Sequence, residues 1–210
     1  MTDPKVTRRQ IIKGAAAVGA LGALGVPSTA FAGQGNGGNE GGGRLRWDLI
    51  ELSPPDIRAG GDDTASAEGD STLTLTGTGT FSPGHSRQVT GGGTWRTTNP
   101  DVPGGPGTYR VTELVSWVQV TGTLVGTGLI DHIGTLADTR AGLAVLRIKY
   151  SDGLDGVLFL SCNLGGTPSS VNEGITGSRG FVNFIHPAEP NFTQHSNRTL
   201  FHALHEGQED

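Results

Sequence analysis

The chain has 210 residues, with 15 lysine and arginine residues against 20 aspartate and glutamate residues, and one cysteine. An acidic chain without basic clusters argues against nucleic acid or an anionic membrane surface as a partner. A single cysteine excludes an intrachain disulfide, so stability must come from a packed core, and the length is enough for one domain of ordinary size.

The first 32 residues have the order of an export signal. Arg8-Arg9 precede a weakly apolar run over residues 14–26, and the sequence Ala-Phe-Ala at 30–32 is a small-x-small cleavage site before Gly33. This segment resembles a twin-arginine signal, which implies the twin-arginine translocase as a partner during export and a periplasmic or extracellular destination. A membrane anchor is the alternative, but the apolar run is shorter than the ~20 residues that a spanning helix needs. We therefore expect no stable membrane anchor.

Removal of residues 1–32 makes the chain more acidic. Four of the 15 basic residues and one of the 20 acidic residues leave with the signal, so 11 basic and 19 acidic residues remain, a net charge of −8. Residues 33–43 follow as a glycine-rich linker that cannot bury apolar surface. We predict a β-barrel domain over 44–187 and a C-terminal tail over 188–210, where RTLFHALHEG predicts a short helix closed by Gly207.

Short segments of alternating polarity follow one another through the predicted domain. Turn sequences such as Ser82-Pro83-Gly84-His85 and Ser151-Asp152-Gly153 separate them. Closely spaced strands of this kind predict an all-β fold, either a sandwich or a single antiparallel barrel of about eight strands. The predicted strands are 44–52, 71–81, 86–97, 107–122, 123–131, 142–150, 156–164 and 174–185.

Glycine interrupts two of these strands on their apolar faces, in GTGTFSPGHSRQVTGGGTW from Gly77 to Trp95. Each glycine costs about 0.5–1 kcal/mol against alanine in a strand, so a structural reason is expected. Glycine permits sharp bending and leaves space beneath it, which favours a small closed barrel over a flat sandwich. The alternative is that the glycines make room for Phe81, Trp95 and Trp117.

A carboxylate among apolar neighbours is the first candidate for chemistry. In TYRVTELVSW, Tyr109, Glu113 and Trp117 alternate onto one face. If that face is internal, burial raises the pKa of Glu113 and makes it a general acid or base. In the reversed register, Glu113 faces water and has no catalytic role.

Two later strands carry further polar candidates. Ser161 and Asn163 share one face and are predicted to bind a ligand inside the barrel, whereas Cys162, on the other face, is predicted to pack as a small apolar residue. Glu173 and Arg179 fall on one alternating set. They either orient a polar substrate inside the barrel or form an ion pair at the surface.

Other common site chemistries find little support in the sequence. His195, His202 and His205 lie near the C-terminus without a carboxylate at a recognised metal spacing, so no metal site is predicted. Asp131-His132 lacks the serine context of a hydrolase. The glycine-rich segments are not followed by helices and are not phosphate loops.

The segments GTGTFSPGHSRQVTGGGTW, GTYRVTELVSW and GVLFLSCNLGGTPSSVNEGITGSRGFVNFI together resemble a group of secreted microbial proteins of unassigned function. More distantly they resemble the allene oxide cyclase and dirigent class of eight-stranded barrels; a calycin-like barrel is the architectural alternative. The resemblance implies a barrel without a cofactor, whose apolar cavity orients a reactive substrate for cyclisation or coupling. Glu113, Asn163 and Arg179 would be its polar groups, and Trp95, Tyr109 and Trp117 its walls.

Three functions therefore remain open. The first is an exported barrel that binds a small apolar or aromatic molecule in its interior. The second is a cofactor-independent cyclase or isomerase of the allene oxide cyclase-like type, and the third is a non-catalytic surface interaction domain. Apolar residues on both faces of one strand, with Leu143 and Val145 against Leu146 and Ile148, also make a homo-oligomer plausible.

Overall fold

A computed structural model describes residues 43–69, 71–98, 105–190 and 196–205. The predicted signal peptide (1–32) and almost all of the predicted linker (33–43) lie outside these residues. The described chain forms strands and short turns, with one 3₁₀ turn at Leu136–Asp138 and no α-helix. Within the same residues there is no helix with the length and apolar character needed to cross a membrane.

The described residues contain fifteen strands, several of which are short and flank a longer one. They are β1 (Leu45–Ser53), β2 (Asp56–Ala59), β3 (Asp62–Ser66), β4 (Thr72–Thr76), β5 (Thr78–Ser82), β6 (His85–Val89), β7 (Gly92–Thr97), β8 (Gly107–Val120), β9 (Ile130–Asp131), β10 (Thr139–Tyr150), β11 (Asp155–Cys162), β12 (Gly174–Arg179), β13 (Val182–Phe184), β14 (His186–Pro187) and β15 (Thr199–Ala203).

Six of these strands close into an antiparallel barrel. The ring runs β1–β5–β7–β8–β10–β15 and returns to β1, and each neighbouring pair is antiparallel. The predicted all-β antiparallel barrel is confirmed, although the closed ring has six strands rather than about eight. Six further strands extend the sheet: β4, β3 and β14 continue from β7, and β11, β12 and β13 continue from β10. The other three lie off this path, with β2 paired to β1 and β9, and β6 paired to β5.

The predicted C-terminal helix is wrong. Residues 199–203 form β15, which pairs with β1 on one side and with β10 on the other. Leu200, Phe201 and His202 are all buried, because the inner face of β15 joins the core and its outer face is covered by the chain around Asp131. A strand that is buried on both faces lacks the polar alternation by which strands are recognised in sequence.

The glycine-rich hairpin changes partners at Gly77. This residue separates β4, which pairs with β3 and β7, from β5, which pairs with β1, β6 and β7. A β-carbon at Gly77 would overlap the Tyr109 hydroxyl, and one at Gly79 would lie 2.8 Å from Nε1 of Trp47. Most glycines of this stretch therefore lie against the backbone of neighbouring strands and, at Gly77 and Gly79, against Trp47 and Tyr109. Phe81, Trp95 and Trp117, which the alternative named, are not among their nearest neighbours.

Candidate functional site

Three of the predicted ligand-binding residues, Trp95, Tyr109 and Arg179, lie around the ring of Tyr150 in the buried core. The rings of Trp95 and Tyr150 pack edge to face with centroids 5.5 Å apart, and Tyr109 lies 6.4 Å from Tyr150. The guanidinium carbon of Arg179 sits 4.1 Å from the centre of the Trp95 ring. Arg179 is buried and pairs with Asp152, not with Glu173. Burial raises the pKa of both tyrosines, so they remain neutral.

Trp117 belongs to a different aromatic cluster. Its ring lies 4.7 Å from that of Phe201 and 5.4 Å from that of Phe81, measured between centroids. A β-carbon added at Gly142 would come within 2.6 Å of the Trp117 ring. Trp117 is partly exposed, whereas both phenylalanines are fully buried. The structure thus does not bring Trp117 together with Trp95 and Tyr109.

Aromatic side chains pack directly against the backbone of neighbouring strands. A β-carbon added at Gly107 would lie 2.8 Å from Nε1 of Trp95, just as one added at Gly79 would lie 2.8 Å from Nε1 of Trp47. The indole N–H groups of Trp47 and Trp95 have no hydrogen-bond partner among the described residues. Since each indole N–H faces a glycine at close range, side chains occupy this part of the barrel interior.

Glu113 does not share an inward face with Tyr109 and Trp117. Two irregularities in the pairing of β8 with β10, next to Val145 and Arg147, shift the alternation. As a result Tyr109, Val111 and Leu114 are buried, while the Glu113 side chain is 42% exposed and its Oε2 lies 3.1 Å from Nε of Arg147. The single alternating face expected from the sequence is therefore wrong, because bulges change the side-chain direction.

The most perturbed carboxyl group that borders a pocket is Glu173, immediately before β12. Its Oε2 accepts a 2.6 Å hydrogen bond from the backbone N–H of Asn163, and its Oε1 accepts one of 2.7 Å from the N–H of Thr199. Burial raises the pKa of Glu173 from 4.5 to about 7, while these backbone donors oppose the shift. The carboxyl group is therefore fixed in position and changes charge near neutral pH.

A second buried carboxyl group, that of Asp63 on β3, lies close to Glu173. Asp63 is fully buried; its Oδ1 accepts a 2.6 Å hydrogen bond from the N–H of Arg198, and its Oδ2 has no hydrogen-bond partner within the described chain. Burial, followed by the charge of Glu173, raises the pKa of Asp63 well above its ordinary value. The negative charge of ionised Glu173 therefore favours the protonated form of Asp63.

The chain around Asn197 fixes these two acids. Asn197 is the only described residue other than glycine with a positive φ, at 63°, in the left-handed region that asparagine tolerates. Its side-chain oxygen accepts a 2.9 Å hydrogen bond from the N–H of Thr64, and its Nδ2 donates one of 3.0 Å to the carbonyl of Glu189. Its own N–H donates to the carbonyl of Asp62 at 3.0 Å. These bonds hold the segment that supplies the N–H groups of Arg198 and Thr199.

The predicted ligand residues Ser161 and Asn163 both lie beside Glu173. The Ser161 hydroxyl donates a 2.7 Å hydrogen bond to the carbonyl of Asn172, and Nδ2 of Asn163 donates one of 2.7 Å to the carbonyl of Val171. Both side chains hold the segment that leads into Glu173. Their role in the structure is to position this carboxyl group.

A pocket of about 240 Å³ opens next to Glu173. Strand β14, which pairs with β3, provides the opposite wall. Four of the seven lining residues are polar or charged and three are apolar: Asn172, Glu173, His186 and Glu189, with Pro187, Ala188 and Pro190. From its spacing in the sequence, Glu173 was predicted only as a partner of Arg179. Its acidic partner Asp63 was missed because about 110 residues separate them in the chain.

Three histidines pair with aspartates. The pairs are His132–Asp56 at 2.6 Å, His202–Asp131 at 2.7 Å and His205–Asp138 at 2.8 Å. Of these, His202–Asp131 is buried, with 3% and 2% of the two side chains exposed. No group of three or more His, Cys, Asp or Glu among the described residues is arranged to hold a metal ion. The His202–Asp131 pair attaches the chain around residue 131 to β15, and the His132–Asp56 pair attaches it to β2.

Comparison with known proteins identifies the N-terminal segment. Residues 5–25 match the TAT (twin-arginine translocation) pathway signal sequence. No curated protein and no solved structure matches the chain. The protein is thus an all-β barrel that is exported by the twin-arginine pathway, to the periplasm or beyond, as the sequence predicted. The resemblance to the allene oxide cyclase and dirigent class finds no support in these comparisons.

Proposed function

We propose that this exported barrel binds a small molecule outside the cytoplasm, in the pocket beside Glu173. The observation that carries the proposal is a fixed carboxyl group with a pKa of about 7 in the wall of a pocket. Ionisable groups with strongly perturbed pKa values in a concave site are typical of functional positions. The binding site differs from the one expected from the sequence, because aromatic side chains occupy the barrel interior near Trp47 and Trp95.

The lining of the pocket suggests the class of ligand. Pro187, Ala188 and Pro190 offer an apolar surface, and Glu173 and Glu189 offer carboxylates. This combination fits a small molecule with an apolar body and an amine or another hydrogen-bond donor. The volume of about 240 Å³ lies below the ~300–1,000 Å³ of drug-sized ligand sites, so the ligand should be small.

The first experiment is native mass spectrometry of the exported protein from its natural host. We expect a bound small molecule, whose mass identifies the ligand class. Ala188→Trp places a large side chain in the pocket and should remove the bound mass. Ala59→Trp, at an exposed position on β2, is the matched control and should retain it. A ligand that stays bound in Ala188→Trp would show that the pocket is not its site.

The second experiment measures binding of small primary amines by calorimetry at pH 5 and pH 8. An ammonium group pairs with ionised Glu173, so affinity should fall by up to roughly a hundredfold at pH 5, as expected for a pKa of about 7. Glu173→Gln should abolish this pH dependence. Equal affinity of the wild-type protein at both pH values would contradict a role for Glu173 in recognition.

A second candidate function is acid–base catalysis at the same carboxyl group. A pKa of about 7 is well suited to proton transfer near neutral pH. It would provide the acid or base for the cofactor-independent cyclase or isomerase that the resemblance implies, with Glu173 in the role first assigned to Glu113. Conversion of polyene or epoxide substrates distinguishes the two: an enzyme loses turnover in Glu173→Gln and keeps it in Glu113→Gln.

A further inference from the structure

Apolar side chains cover the outer surface of the barrel where β8, β10 and β11 lie side by side. Val115, Val118 and Phe159 are 51%, 54% and 37% exposed. Leu143 and Val145, which are half-buried, lie between them on β10. In register, Leu143 is opposite Val118, and Val145 is opposite Phe159. We call these five side chains the β8–β11 patch.

The exposed side chains beside β4 and β7 differ from those of the β8–β11 patch. Beside β4 and β7, two exposed cross-strand threonine pairs hydrogen-bond to each other at 2.8 and 2.7 Å, Thr72–Thr98 and Thr76–Thr94. Threonine and valine have almost the same shape and both favour strands. Strand propensity therefore does not account for the valines of the β8–β11 patch, and apolar surface of this kind marks an interaction site.

Charges of both signs border the patch along the same strands. Glu113 and Arg147 form an ion pair of 3.1 Å, and Lys149 and Asp155 form the next, at 3.2 Å. In register, Arg147 follows Val145 by two residues on β10, so Glu113 and Arg147 lie directly beside the apolar side chains. The border of the patch thus presents one acidic and one basic side chain at neighbouring positions.

We propose that the β8–β11 patch is the interface of a homodimer with twofold symmetry. A twofold axis brings the same patch of two subunits together, so a surface must be complementary to itself. The apolar side chains meet this condition directly. The charged border meets it because Glu113 can face the partner subunit's Arg147 while its own Arg147 faces the partner subunit's Glu113. A different protein that recognised the patch by its charge would instead favour a border whose charges all have the same sign.

Sedimentation velocity of the exported protein over a range of concentrations tests the proposal. The wild-type protein should be a dimer, and Val118→Glu and Phe159→Glu should each weaken association by about a hundredfold or more, because they bury an unpaired charge. Val125→Glu changes a valine that is 60% exposed outside the patch, and it should remain dimeric. Thermal unfolding of each variant confirms that it is folded.

Charge reversal distinguishes contacts between subunits from contacts within one. Glu113→Arg and Arg147→Glu should each be monomeric, because like charges then meet across the twofold axis. An equimolar mixture should form a heterodimer, since every basic side chain of one subunit then faces an acidic one of the other. A wild-type protein that is monomeric at every concentration or forms trimers, patch variants that stay dimeric, or a mixture that stays monomeric would each overturn the proposal.

Discussion

Replacement of Glu173 by glutamine removes a group that binds a proton only in the folded state at moderately acid pH. Its pKa is about 7 in the folded protein and 4.5 as its ordinary value. Between these values the native state holds a proton that the unfolded state has lost, so stability rises as the pH falls from about 7 towards 4.5. At 1.36 kcal/mol per pKa unit, the full effect is about 3 kcal/mol, of which about 2.5 kcal/mol falls between pH 8 and pH 5.

The measurement is the free energy of unfolding in urea at pH 5 and pH 8. The quantity to compare is the free energy of unfolding at pH 5 minus that at pH 8. In Glu173→Gln we expect this difference to be smaller than in the wild-type protein by about 2.5 kcal/mol. The amide also gives up one of the two hydrogen bonds from Asn163 and Thr199, which lowers stability at both pH values. For this reason the difference between the two pH values, and not the stability at one pH, is the quantity to compare.

Two further variants make the test specific. Glu113→Gln removes a half-exposed carboxylate elsewhere on the barrel and should keep the wild-type difference. Asp63→Asn removes the other buried acid, whose pKa is raised in the same direction, and should also reduce the difference. If Glu173→Gln shows the same difference as the wild-type protein, the proton is held elsewhere and the argument for this site is refuted.

Three further predictions concern stability and reactivity. Gly77→Ala should lower the free energy of unfolding by about 1–3 kcal/mol through overpacking, whereas Gly105→Ala, with no atom within 4 Å of the new carbon, should stay close to wild type in thermal unfolding. Asp131→Asn should destabilise the protein by about 1–3 kcal/mol at neutral pH, because it breaks the buried pair with His202. Since the folded pKa of Asp131 is lowered, the wild-type advantage should disappear in urea titrations as the pH falls below the ordinary value near 4. The thiol of Cys162 is buried and its pKa is raised, so it should react with a thiol reagent at the rate of unfolding; fast reaction of the native protein would contradict its burial.

The sequence predicted the long strands well and the short ones poorly. The predicted segments 44–52, 107–122 and 142–150 correspond to β1, β8 and β10, because these strands are long enough for alternation to be clear. Strands β2 and β3 were missed because DIRA and DDTAS are short and polar. Within the predicted segment 123–131, only Ile130–Asp131 is a strand.

The sequence predicted the candidate site less well than it predicted the strands. The alternation that placed Glu113 beside Tyr109 fails at bulges, which depend on the pairing with β10 and leave no clear trace in β8 itself. Ser161 and Asn163, which were predicted to bind a ligand, hydrogen-bond to the segment that precedes Glu173. Their common neighbour, Glu173, owes its raised pKa to contacts with residues distant in the chain, which periodicity does not report.

The position of β15 bears on when this protein can fold. The ring stays open between β1 and β10 until residues 199–203 are available to join them. Contacts between chain segments so far apart form slowly, and here they need the chain up to Ala203 to have left the ribosome. A secretion route that threads a nascent chain would separate the two ends of the barrel across the membrane, whereas a post-translational route lets the ring close first, in keeping with the signal at residues 5–25.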